Sequence, residues 1–199
     1  MRIVVVGATG TIGRAVADAL AGQHEVLRAS RQGPVRLDIE DPRSVAALFE
    51  QVKDVDALVS CAGSARFKPL DQLGDEDFVY SLQSKLMGQV NLVRAALRHL
   101  REGGSVTVTT GVLAHKPMSG AAAISLVNAG LEGFVRGAAL EAPRGIRVNA
   151  VSPPWVTETL AALKMDPSWG LPAATVARAY VAAVTGRHNG EVLDPAVFA

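Results

Sequence analysis

The stretch Arg2-Ile3-Val4-Val5-Val6-Gly7-Ala8-Thr9-Gly10-Thr11-Ile12-Gly13 decides the fold. A short β-branched run turns straight into glycines at every third position, and a helical pattern follows from Ile12 to Gly22. Strand, tight turn and helix come in that order. Glycines there let the backbone turn sharply and approach a ligand closely. Unpaired amides at the helix start supply donors and a partial positive charge, and Thr9 and Thr11 add hydroxyls. The turn Gly7 to Gly13 therefore reads as a cradle for the phosphates of a dinucleotide, against the plainer reading of an ordinary strand-to-helix turn.

Outward from that turn, short β-branched runs alternate with longer helical patterns. Further strands are expected at Glu25 to Ala29, Val35 to Leu37, Ala57 to Ser60, Ser105 to Thr109, Arg147 to Ser152 and Glu191 to Leu193. Helices are expected near Pro42 to Val52, Asp75 to Arg101, Ala122 to Ala142 and Ala173 to Thr185. Alternation of this kind signals βαβ units and a parallel sheet covered on both faces. The length of 199 residues suits a single domain spanning 1–199. Residues 153–172 form the irregular piece, rich in proline and holding Trp155 and Trp169. It leaves the end of a strand, where ligands of such sheets bind, so it reads as a substrate-side loop; the alternative is an apolar surface flap without a ligand.

Composition narrows the partners. Twenty basic and 19 acidic residues leave a net charge of +1, which offers no field for nucleic acid or acidic membranes. Cys61 is the sole cysteine, so no internal disulfide forms and a reducing, cytoplasmic setting is expected. No apolar run approaches the length of a membrane helix, and no metal site is expected. The end of the second strand, Arg28-Ala29-Ser30-Arg31-Gln32, has no carboxylate to bind a ribose 2′-hydroxyl. Ser30 and Arg31 are instead suited to clamp a 2′-phosphate, which favours NADP, with NAD possible and a solvated Arg31 as the bland reading.

Beyond the turn, Leu37-Asp38-Ile39, Leu58-Val59-Ser60-Cys61-Ala62-Gly63 and Gly145-Ile146-Arg147-Val148-Asn149-Ala150-Val151-Ser152-Pro153 together resemble the short-chain dehydrogenase/reductase family, nearly end to end. The resemblance implies a three-layer α/β Rossmann fold with a seven-stranded, mostly parallel, doubly wound sheet. It implies a cofactor site of Gly7, Thr9, Gly10, Thr11, Ile12, Gly13, Ser30, Arg31, Asp38, Ile39, Cys61, Ala62, Gly63, Asn128, Pro153 and Val156. It also implies a homodimer or homotetramer built through helices 75–101 and 122–142.

The family's catalytic motif is a serine or threonine, then Tyr-x-x-x-Lys on one helix, with an asparagine on the neighbouring helix. Here the alignment puts Ile124 at the tyrosine, Asn128 at the lysine, Lys85 at the asparagine and Thr110 or Gly111 at the serine. Isoleucine cannot transfer a proton. Lys85 and Asn128 read as a transposed pair, the cation now delivered from the other helix; the alternative has Lys85 reaching to solvent. Candidate catalytic residues are accordingly Lys85, Thr110, Asn128 and His115, the last for its pKa near neutrality. Two functions stay open: an oxidoreductase of an unknown small carbonyl or alcohol with non-standard catalytic residues, or an inactive dinucleotide-binding sensor or scaffold. A purely structural protein would not explain an intact glycine turn.

Overall fold

The computed structural model describes residues 1–199. Seven strands form one sheet: β1 (Arg2–Val6), β2 (Glu25–Ser30), β3 (Val35–Arg36), β4 (Ala57–Ser60), β5 (Ser105–Thr109), β6 (Arg147–Val151) and β7 (Val192–Leu193). Their order is β3-β2-β1-β4-β5-β6-β7, and every neighbouring pair is parallel. This is the doubly wound, three-layer α/β architecture expected from the sequence. Strand order reverses between β1 and β4, so a crevice opens beyond Val6 and Ser60, where such sheets bind ligands.

Side-chain alternation explains why β1 is apolar throughout. Ile3 and Val5 face α1 (Thr11–Ala21) and α7 (Ala173–Thr185), packing with Val16, Leu20, Val176 and Tyr180. Val4 and Val6 face the opposite layer of α2 (Pro42–Gln51), α4 (Gly88–His99) and α5 (Ala122–Glu141), with Leu48, Phe49, Leu92 and Leu131. Each such side chain contributes about 1.5–3 kcal/mol by leaving water, so both layers are needed to cover the sheet. Asp41 caps α2, its Oδ1 accepting from the Arg43 amide at 2.9 Å, with Pro42 in the first helical position. No helix is long and apolar enough to cross a membrane.

Two segments depart from expectation. The helix expected to run from Asp75 to Arg101 is α3 (Asp75–Ser81), a π-helical turn (Leu82–Met87) and α4, which ends at His99. The widened turn is pinned from the side. Gln89 Nε2 donates to the Lys85 and Thr109 carbonyls at 3.2 and 2.9 Å, and its Oε1 accepts from the Thr109 amide at 2.9 Å. The Ser64 amide donates to Ser84 Oγ at 3.1 Å.

The second departure is the segment 153–172, expected to be irregular. It contains a short helix α6 (Thr157–Ala162) and a 3-10 turn (Pro167–Trp169). Its ends meet in a parallel bridge between Val156 and Leu171, and the Glu158 carboxylate accepts from the Ala173 amide at 2.9 and 3.1 Å. Gly170 allows that closure, because a Cβ there would lie 2.6 Å from the Thr157 nitrogen. The loop is thus a folded flap, with Trp169 exposed on its outer side.

Candidate functional site

Two adjoining cavities sit beyond the carboxyl ends of the strands and share Gly63. The first, about 320 Å³, lies over β1, β2 and β4. Gly7, Thr9, Gly10, Ser30, Arg31, Asp38, Ile39, Cys61, Ala62 and Gly63 all line it. Gly7 holds φ +77°, and a Cβ there would lie 2.9 Å from the Cys61 carbonyl carbon. At Gly13 a Cβ would lie 2.1 Å from the Gly7 carbonyl oxygen, so the helix can seat against the turn only without a side chain. Thr11 faces a shallow groove beside Gly10 and Arg14, whereas Ile12 faces the second cavity.

The amides of Thr11, Ile12 and Gly13 have no backbone acceptor, and the first turn of α1 carries no acidic residue. Free donors, a positive helix end and a floor without side chains fit a pyrophosphate. Around the far rim, Arg28 is held by Asp18 at 2.6 Å, while exposed Arg31 has no ion pair. The Ser30 hydroxyl is turned to the Gln32 carbonyl, so the clamp expected of Ser30 and Arg31 rests on Arg31 unless Ser30 rotates.

The second cavity, about 260 Å³, runs along the ends of β5 and β6 under the flap. Lys85, Thr110, Ile124, Asn128, Pro153 and Val156 line it together. Val112, Leu113 and Trp155 make much of the remaining wall apolar. Trp155 is braced by Phe67, edge to face at 6.4 Å.

Lys85 turns into the cavity. It is half-buried, and its Nζ donates to the Thr110 carbonyl at 3.4 Å. Burial pushes its ammonium down from 10.5 to about 8. Asn128 is 2% exposed; its Nδ2 donates to the Gly111 carbonyl at 3.4 Å, and its Oδ1 has no partner. An orphaned, buried acceptor lining a cavity is a place for a hydroxyl or amide of a bound molecule. Gly111 completes the arrangement, since a Cβ there would lie 2.9 Å from Asn128 Nδ2. The asparagine amide fills the space that a serine side chain at position 111 would need.

His115 is not brought into this cavity. It is 60% exposed on the far side of the segment after β5, with its Nε2 2.5 Å from Glu132 Oε2. Glu132 escaped the sequence reading. Its carboxylate is buried on α5, one turn after Asn128, and also accepts from Thr110 Oγ1 at 3.0 Å. The i,i+4 spacing from Asn128 on a core-facing stripe was the available signal.

Tyr180 and Thr109 were also missed. The Tyr180 hydroxyl meets Thr109 Oγ1 at 2.6 Å, and Thr109 Oγ1 donates to the Ser60 carbonyl at 2.6 Å. Desolvation raises the Tyr180 phenol well above its ordinary value, so it does not replace the absent acid. Burial likewise pushes the Cys61 thiol up to about 12, which keeps it protonated and unreactive. Tyr80 lines the first cavity with the Arg66 guanidinium 4.0 Å over its ring.

Comparison with known proteins agrees with this architecture. A family model described as enoyl-(acyl carrier protein) reductase matches residues 4–189. The 3-oxoacyl-acyl-carrier-protein reductase FabG of Escherichia coli is 30% identical over 194 residues, covering 84% of this chain and 79% of its own. Glucose and ribitol dehydrogenase homolog 2 of Arabidopsis thaliana is 29% identical over 137 residues, 65% of this chain and 47% of its own. Among solved structures, a protein from Listeria innocua is similar with a TM-score of 0.92 and 40% identity, covering 98% of both chains. A small-chain dehydrogenase in complex with NADPH superimposes with a TM-score of 0.86 at 29% identity, covering 98% of this chain and 95% of its own.

Proposed function

Because this chain belongs to the short-chain dehydrogenase/reductase family, we propose that it is an NADP(H)-dependent oxidoreductase of a small, uncharged carbonyl or alcohol whose proton is carried by Lys85. The observation that carries the reading is the desolvated Lys85 ammonium in a cavity that the unpaired Asn128 Oδ1 also lines and that adjoins the glycine turn. Gly7 to Gly13 would hold the pyrophosphate, Arg31 the 2′-phosphate, and Asp38, Ile39, Ala62 and Gly63 would line the adenosine side. When bound, the nicotinamide supplies or accepts the hydride.

The chain's own residues do the rest. Lys85 Nζ donates a hydrogen bond to the carbonyl oxygen and then its proton, as negative charge develops there. Asn128 Oδ1 accepts a hydrogen bond from a hydroxyl or amide N–H of the bound molecules. Ile124, Leu113, Val112 and Trp155 exclude water and orient an apolar substituent. Reduction needs the protonated amine, so its rate should hold below about pH 8 and fall above it. Oxidation needs the neutral amine and should rise through the same point.

The test is calorimetric titration with NADPH and NADH, followed by turnover against a panel of aldehydes and ketones. Tighter NADPH binding with turnover that Lys85→Ala abolishes supports the reading. No binding of either nucleotide sinks it. Ile124 and Gly111 favour a second reading, because neither offers a proton-carrying group. Under it the chain is a dinucleotide sensor or scaffold, and binding with no turnover on any carbonyl selects it.

A homodimer or homotetramer through α3, α4 and α5 is part of the same proposal. Val79 and Leu126 are 49% and 50% exposed on α3 and α5, as an unpaired interface would leave them. Sedimentation velocity at micromolar concentration decides it, a monomer counting against. A cytoplasmic setting, for which fractionation of the source cells is the check, likewise remains a proposal.

A further inference from the structure

We infer that Glu132 is a positioning residue for this site: its buried carboxylate clamps the Thr110–His115 segment to α5 and so keeps the Thr110 carbonyl aimed at the Lys85 ammonium. The inference rests on the reading of Lys85 as the proton-bearing group. Glu132 is 1% exposed, yet three side chains converge on it. Thr110 Oγ1 donates to Oε1 at 3.0 Å, while His115 Nε2 lies 2.5 Å and Arg136 Nη2 3.4 Å from Oε2. His115 comes from the segment after β5 and Arg136 from α5 itself; both are more than half exposed and cover the carboxylate from outside.

A buried carboxylate is a poor way to gain stability, because an apolar side chain of similar size fills the space without desolvating a charge. What it specifies is geometry. Both residues it ties down from outside α5 bracket Gly111, Val112 and Leu113, which wall the cavity. Thr110 faces two ways: its hydroxyl donates to Glu132, and its carbonyl accepts from Lys85 Nζ at 3.4 Å. Loosening the first contact frees the second and admits water to the amine.

The test uses the full chain carrying Glu132→Leu or Glu132→Gln, with Arg136→Ala as the control that removes only an exposed partner. Two quantities are read: steady-state kinetics with NADPH and a carbonyl substrate, and the titration of Lys85 in nucleotide-free protein. The titration is followed by NMR of ¹³C-methylated lysines and assigned with Lys85→Met. Glu132→Leu is expected to lower kcat about tenfold or more while leaving NADPH affinity nearly unchanged, the split that a positioning loss produces. Its Lys85 midpoint should move up as water enters. Glu132→Gln, which keeps an acceptor for Thr110, should recover most of both, and Arg136→Ala should match the parent. An unmoved Lys85 midpoint together with an unchanged kcat in both Glu132 variants overturns the inference. Should Glu132→Leu not fold, Thr110→Val deletes the clamped hydroxyl in a side chain of the same shape and carries the same two outcomes. A parent protein that turns over no carbonyl defeats the enzyme reading instead, and the clamp is then judged on the Lys85 titration alone.

Discussion

Replacing Lys85 by methionine should stop the chemistry and make the protein more stable. Folding carries the ammonium into a half-buried, largely apolar cavity, and burial brings its pKa from 10.5 to about 8. Below the folded value the charge is present in both states, and the full cost of desolvation falls on the folded one. Between the two values the folded chain binds fewer protons than the unfolded chain, so stability rises with pH across that window. At about 1.4 kcal/mol per pH unit, the drop corresponds to roughly 3 kcal/mol against folding near neutrality. Methionine keeps an unbranched apolar stem and loses only the long 3.4 Å contact to the Thr110 carbonyl. Such a contact is worth about 0.5–1 kcal/mol, which leaves a net gain of about 2 kcal/mol. For a chain of this size that is about 4–8 °C in Tm. Urea and thermal unfolding of both proteins, at about pH 7 and again near the ordinary lysine pKa, measure it. The gap should be large at the lower pH and close as pH rises towards 10.5. A variant less stable than its parent at pH 7, or a gap independent of pH, would refute the argument that Lys85 is held charged at a cost.

Gly13→Ala should prevent the turn from seating, since its Cβ would overlap the Gly7 carbonyl oxygen at 2.1 Å; a loss of about 3 kcal/mol or more is expected by urea unfolding, with nucleotide binding gone. Arg31→Glu should weaken NADPH about tenfold or more while sparing NADH, read by calorimetry; equal loss of both would remove Arg31 from the 2′-phosphate site. Gly111→Ser should displace the Asn128 amide, 2.9 Å from the new Cβ, and raise KM for the carbonyl substrate with little change in NADPH affinity. Combining it with Asn128→Ala should be non-additive, because the two changes act on one space.

Local rules made the cofactor side legible. The glycines at 7 and 13 are required by close backbone contacts, Gly13 against Gly7 itself and Gly7 against Cys61 just past the adjoining strand, and the spacing of the turn located them. Parallel pairing of β1 followed from an apolar run buried on both faces. The reactive side depended on contacts distant in sequence. The π-turn that presents Lys85 is held by Gln89 reaching β5 and Ser84 reaching the segment after β4, and nothing in Leu82 to Met87 marks it. His115 looked catalytic by type and position, yet the chain turns it outward onto Glu132. Ser30 looked free to bind phosphate, but its hydroxyl is taken by the turn that follows it.

Lys85, Asn128 and Gly111 form a coupled set, and this bears on how the site works. Asn128 can sit where it does because position 111 has no side chain, and its amide then anchors to the Gly111 carbonyl. Lys85 lines the same cavity from another helix, its backbone passing so near Gly63 that a Cβ there would lie 3.0 Å from its Cα. A tyrosine phenol with a pKa near 10 needs a neighbouring cation before it can donate a proton at neutral pH. A desolvated ammonium with a pKa of about 8 needs no such partner, because burial alone has already brought it into range. On the proposed reading, one desolvated amine would do the work of two groups, and the cost of holding it charged is the stability that Lys85→Met should return.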